Sequence, residues 1–182
     1  LTPDDIEKVQ SSFNELKPIL RSMGGLFYAN LFTIAPHVRP LFKANVDEQG
    51  RKLMETLGTV VSLLRHPEKM GPAIISLGER HATYTVREEY FEPVGQALIA
   101  TLRQTLDEKF TPEVELAWVN VYTAASQLMQ LGLSQGRQRL ANQQRGQLVE
   151  IQAPQAAPAI REVWWKRLLR LLRLQHLTRA DR

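Results

Sequence analysis

From Ile6 to Met129 the large apolar residues recur at intervals of three and four, and no stretch alternates with period two for long enough to form a central strand. That pattern leaves an all-α domain of six or seven helices with short connections. Thr2-Pro3-Asp4-Asp5 reads as a helix start: a hydroxyl cap, a proline where its missing N–H costs nothing, and acids at the positive end of the dipole. Ile6, Val9, Phe13 and Leu16 form the stripe that follows. Pro18 ends that helix or opens the next, which runs through Leu20, Met23, Phe27, Leu31 and Phe32. Gly24 and Gly25 within this run cost about 1 kcal/mol each relative to alanine, an expense that a close helix crossing would explain.

Pro36 turns the chain, and Asn45 to Glu48 offer caps for a helix carrying Leu53, Met54, Leu57, Val60, Val61 and Leu64. His66-Pro67 breaks it. A shorter helix holds Ile74, Leu77 and His81, and Gly78 lets a neighbour approach its backbone. Segments from about Arg87 to Leu106 and from Thr111-Pro112 through Trp118, Tyr122 and Met129 complete the set.

A chain of 182 residues makes one domain, or one domain with an appendage. It has no cysteine, which excludes disulfides, thiolate catalysis, iron–sulfur clusters and thioether-attached haem. No run of eighteen apolar residues occurs, and the N-terminus lacks the basic-then-apolar profile of a signal peptide. The expected location is cytoplasmic. The net charge of +4 is unevenly divided: ten Lys/Arg face only Glu150, Glu162 and Asp181 from Arg137 onward, leaving the first 136 residues with 13 basic against 16 acidic. An acidic body therefore carries a basic tail that can meet something anionic.

Four residues in the body depart from plain core or surface roles. Tyr28 lies in an apolar stripe and needs a partner for its hydroxyl. Phe42 follows Pro36 by six residues, and Gln49 stands one turn before Leu53. His81 ends an amphipathic segment, where a neutral imidazole satisfies its inner nitrogen with a hydrogen bond or a metal. Singly, each has an ordinary structural explanation.

Together they follow a family pattern. The run Leu26 to Phe32, the interval Pro36 to Phe42, Gln49 to Met54, Leu77 to Gly95 with His81, and Ala117-Trp118 through Tyr122 resemble the bacterial single-domain haemoglobins, relatives of the haem domain of flavohaemoglobins. The resemblance covers about residues 1–133 and implies a globin fold holding one haem b. It implies His81 as the iron ligand, Phe42 stacked on the porphyrin, and Tyr28 and Gln49 above the iron. Leu53 and Leu57 would line that distal side, and Leu77, Val86, Phe91 and Val94 the proximal side. Lys52 would reach a haem propionate. Two hydrogen-bond donors in the distal pocket suit tight oxygen binding.

The sequence also departs from that pattern. Flavohaemoglobins pair the proximal histidine with a tyrosine and a glutamate; here those positions carry Phe91 and Leu133, with Tyr90 one residue early. No G-x-G-x-x-G motif occurs in the sequence. The implied function is binding of oxygen, NO and CO, with oxidation of NO to nitrate by an external electron donor rather than an attached reductase. Residues 1–136 make the globin domain.

Residues 137–159 read as a helix extension followed by a flexible Pro/Ala/Gln linker, and residues 160–182 as a basic amphipathic helix. Trp164, Trp165, Leu168, Leu169 and Leu172 fall on one side of it, and Lys166, Arg167, Arg170 and Arg173 on the other. Three readings of residues 160–177 stay open: docking on a membrane surface at its inner face, self-packing or a homodimer contact, and a protein partner's groove. Nucleic acid is not an expected partner, because the body is acidic and half the helix is leucine and tryptophan. A gas or redox sensor whose ligand state alters tail docking is the alternative function.

Overall fold

The computed structural model describes residues 1–42, 45–84 and 86–152, the last seven by backbone alone. The linker and the amphipathic helix expected over 153–182 lie outside the described residues. Six α-helices make up the described chain: α1 (Pro3–Leu16), α2 (Leu20–Ile34), α3 (Val46–Leu63), α4 (Pro67–His81), α5 (Phe91–Leu106) and α6 (Pro112–Gln152). Short 3-10 turns at Lys17–Ile19, Pro36–Leu41, Glu88–Tyr90 and Asp107–Lys109 join them. No helix among the described residues is long and apolar enough to cross a membrane.

Local chemistry sets the helix starts. At α1 the Thr2 hydroxyl accepts from Asp5 N at 3.1 Å while the Asp5 carboxylate accepts from Thr2 N at 2.9 Å, a reciprocal cap. The same hydrogen bonds hold the Asp5 carboxyl below its ordinary value. At α3 the Asn45 side chain accepts from Asp47 N at 2.9 Å. Pro18 sits between α1 and α2 in a 3-10 turn, and His66-Pro67 divides α3 from α4.

One boundary differs from expectation. The apolar spacing starts a helix near Arg87, but α5 begins at Phe91 after a 3-10 turn. Pro93 explains the delay: its ring clashes with the carbonyl four residues earlier, so an α-helical turn cannot extend back through Glu89.

Residues Leu1–Leu140 form one compact unit. Its core contains Val9, Leu16, Met23, Leu31, Ile74, Leu102, Trp118 and Leu133, all essentially without solvent exposure. Trp118 satisfies its buried indole N–H on the Ser12 hydroxyl at 2.9 Å. Glycines set two close helix crossings. A Cβ on Gly24 would fall 2.6 Å from the Gly50 carbonyl carbon, which brings α2 against α3. Gly25 meets nothing within 4 Å, so the crossing accounts for only one of the pair. The second crossing joins α4 to α6. A Cβ on Gly78 would lie 3.0 Å from the Leu133 amide nitrogen and against the Met129 carbonyl, and one on Gly132 would lie 2.8 Å from the Ile75 carbonyl carbon. It fixes the helix that ends at His81.

Candidate functional site

His81 is the last residue of α4 and half-buried. Its ring Nδ1 lies 2.8 Å from the Leu77 carbonyl oxygen, one turn earlier. A carbonyl only accepts, so Nδ1 carries a proton and donates, and in the neutral ring Nε2 is the nitrogen with the lone pair. Hydrogen bonding of one imidazole nitrogen in this way fixes the tautomer and leaves the other as a metal ligand. Tyr84, well exposed, meets the His81 ring edge-on with centroids 6.0 Å apart.

The apolar candidates Leu77, Val86, Phe91 and Val94 are all half-buried. The Tyr122 hydroxyl donates to the Phe91 carbonyl, pinning the start of α5. Burial pushes the Tyr122 hydroxyl up to about 12, so it remains a donor at neutral pH. Gly95 leaves room for that ring, since a Cβ there would sit 2.9 Å from Tyr122 Cδ1.

The positions that differ from the flavohaemoglobin pattern carry no acid. Leu133 is fully buried, and Tyr90 is half-buried with its ring 6.1 Å from that of His37. The Nδ1 partner of His81 is a neutral carbonyl.

The second group of candidates comes from α2, α3 and the Pro36–Leu41 turn. Tyr28 is 6% exposed, and its hydroxyl makes no hydrogen bond to another described residue. Its ring packs edge-on against Phe42 at 5.1 Å and tilted against Phe32 at 5.7 Å. Burial raises the Tyr28 hydroxyl above the ordinary tyrosine value, so it keeps its proton. Gln49, in the first turn of α3, has a buried Oε1 with no hydrogen-bond partner among the described residues. A solvated surface glutamine would not leave that atom stranded. A buried polar atom without a partner costs about 1–3 kcal/mol, so Gln49 is not an ordinary solvated first-turn residue. Leu53 and Leu57 are half-buried and pack against the core.

Lys52 is set apart from the other candidates. Its side chain is 65% exposed and its ammonium lies 3.3 Å from the Glu48 carboxylate. Arg51, then Lys52, draw the Glu48 carboxyl down to about 2 through hydrogen bonds. His37 and His66 are exposed.

Two participants escape a sequence reading. Phe32 closes the aromatic cluster, its ring 5.7 Å from those of both Tyr28 and Phe42; the signal is its place one helical turn after Tyr28. Arg137 donates to the Val86 carbonyl at 2.6 Å, and nothing in the sequence links residues 51 positions apart.

Comparison with known proteins gives a consistent result. A family model described as Globin matches residues 25–129. The flavohemoprotein of Vibrio cholerae serotype O1 is 24% identical over 135 residues, which is 70% of this chain and 33% of that protein. The flavohemoprotein of Deinococcus radiodurans is 24% identical over 139 residues, 75% of this chain and 34% of that protein. This chain thus spans about a third of the length of these curated relatives. Among solved structures, the hexacoordinated heme protein from an anhydrobiotic tardigrade, determined at pH 4, superposes with a TM-score of 0.68 at 20% identity. That match covers 74% of this chain and 96% of the other and is a likeness of fold.

Proposed function

This chain belongs to the globin family, and from that premise we propose that it holds one haem b through His81, binds diatomic gases and oxidises nitric oxide to nitrate. The observation that carries the reading is the orientation of His81. Its Nδ1–H is spent on the Leu77 carbonyl, and a half-buried imidazole is left with one free lone pair. One imidazole supplies a single donor, which suits a metal that arrives with other ligands of its own, as in a porphyrin. The Gln49 side-chain amide, buried at its oxygen end, and the unused Tyr28 hydroxyl offer the donors for the other half of the fit.

Bound there, haem would supply an iron able to bind a gas and exchange electrons. The chain's residues do the rest. Phe42 would pack against the porphyrin, and Leu53 and Leu57 with Leu77, Val86, Phe91 and Val94 would keep water from it. Lys52, now paired with Glu48, would turn to a propionate. Tyr28 and the Gln49 amide both donate towards negative charge on a ligand, and neither ionises near neutral pH, since burial raises Tyr28 and an amide does not titrate. The pocket therefore favours oxygen over ligands that accept little charge, and its grip is insensitive to pH from this side.

Tight retention serves a reaction better than delivery. Oxygen, nitric oxide and one electron make nitrate, with the electron returned by an external donor. Rapid mixing of the oxygenated protein with an equal amount of NO tests this. The expected outcome is one nitrate per protein with the ferric spectrum formed in the same step. Nitrite, or a protein left with NO bound, would contradict the dioxygenase reading.

A further inference from the structure

The chain leaves His81 through Ala82–Tyr84 and re-enters the fold at Val86–Tyr90. The backbone hydrogen bonds of these stretches are local: Ala82 N reaches Glu79 O at 3.2 Å, Thr83 N reaches Arg80 O at 3.2 Å, Tyr84 N reaches His81 O at 3.0 Å and Tyr90 N reaches Arg87 O at 3.1 Å. Such bonds shape a turn without anchoring it to the body.

The tether comes from α6. Gly136 brings that helix onto the end of α4, where a Cβ would lie 2.7 Å from both the Ala82 Cβ and the Glu79 carbonyl oxygen. From the next residue, Arg137, Nη2 donates to the Val86 carbonyl oxygen at 2.6 Å, and Nη1 lies 3.8 Å from the Glu88 carboxylate. Arg139 Nη1 donates to the Glu79 carboxylate at 2.9 Å. The two guanidiniums thus hold the chain on both sides of His81. Both lie beyond the stretch matched by the family model, which ends at residue 129.

We infer that Arg137 is a positioning residue for the proximal side of the haem pocket, acting by fixing the backbone of Val86, with Arg139 and Glu79 as a second tether. The inference rests on haem held by His81. Arginine suits the task because its planar fork can donate to a carbonyl while its charge stays near a carboxylate. Arg139 contributes less, because its side chain is 68% exposed against 46% for Arg137 and it reaches only a side chain, not the backbone.

The test is the rate at which hemin passes from the loaded protein to excess apomyoglobin. Arg137→Ala should release hemin roughly three- to tenfold faster, as expected for losing one hydrogen bond from a partly exposed guanidinium, and Arg137→Lys should recover part of the difference. Arg139→Ala should change the rate less. The iron–histidine stretching band of the ferrous Arg137→Ala protein should broaden or shift, with the thermal midpoint of the apoprotein little altered. An unchanged release rate and band would overturn the inference. Should the wild-type protein take up no hemin, the haem reading itself fails. The tether is then read by hydrogen exchange of Val86–Tyr90 in the apoprotein: faster exchange in Arg137→Ala upholds it, and equal exchange overturns it.

Discussion

Oxygen should leave the Tyr28→Phe, Gln49→Leu double variant roughly 10²- to 10⁴-fold faster than the wild-type protein, the size expected when two hydrogen bonds to a charged acceptor, each worth about 1.5–3 kcal/mol, are removed. Each single variant accounts for part of that change. The experiment is unusually clean because neither donor holds the fold together. The Tyr28 hydroxyl has no partner among the described residues, so phenylalanine keeps the ring contacts with Phe32 and Phe42 and breaks no bond within the protein. The Gln49 oxygen is buried without a partner, so leucine removes an unsatisfied atom. The apoprotein of Gln49→Leu should gain stability, by about 1 kcal/mol, while its oxygen affinity falls. Opposite signs for folding and binding are what separate a ligand-binding residue from a structural one. Oxygen dissociation measured by displacement with CO, beside urea unfolding of the apoproteins, reads both. Unchanged oxygen release in the double variant would take these two residues out of the pocket.

Gly132→Ala should destabilise the apoprotein by about 3 kcal/mol or more, at the upper end of what overpacking costs. The new Cβ would lie 2.8 Å from the Ile75 carbonyl carbon and closer still to its oxygen. A side chain facing it would rotate away, but a backbone carbonyl within α4 cannot move without carrying the helix. Alanine's better helix propensity returns only about 1 kcal/mol and does not offset the clash. Because α4 ends in His81, the displaced helix should also bind hemin more weakly. Gly25→Ala is the control. Nothing lies within 4 Å of its added Cβ, so the propensity gain stands alone and the variant should be more stable by about 0.5–1 kcal/mol. Equal urea midpoints for wild type and Gly132→Ala would show that the two helices do not cross at this distance.

These glycines also mark where a sequence stops being readable. The helix starts at Thr2, Asn45 and Pro67 are legible because their causes are local: a hydroxyl, an amide or a proline acts on backbone within a few residues. The extension of α6 to Gln152 is legible for the same reason, since residues 135–152 contain no proline. Gly78 reads as a close approach, but its partner on α6 does not, because the contact spans some fifty residues. The start of α5 is misplaced by a periodicity that ignores Pro93. Within the site, His81 and Tyr28 stand out as polar groups in apolar stripes. Gln49 stands out only by resemblance, since a first-turn glutamine is ordinary until its oxygen is found buried. Arg137 gives no sequence signal at all; in a basic stretch it is one cation among several.

Everything proposed for the pocket requires that Nε2 of His81 bind the metal. The most direct measurement is the ferrous spectrum of the hemin-loaded protein beside that of His81→Gly, each with and without added imidazole. The result expected is loss of the iron–histidine band in the glycine variant and its return when free imidazole fills the gap. A variant that keeps the wild-type spectrum without imidazole would show that another side chain is the axial ligand.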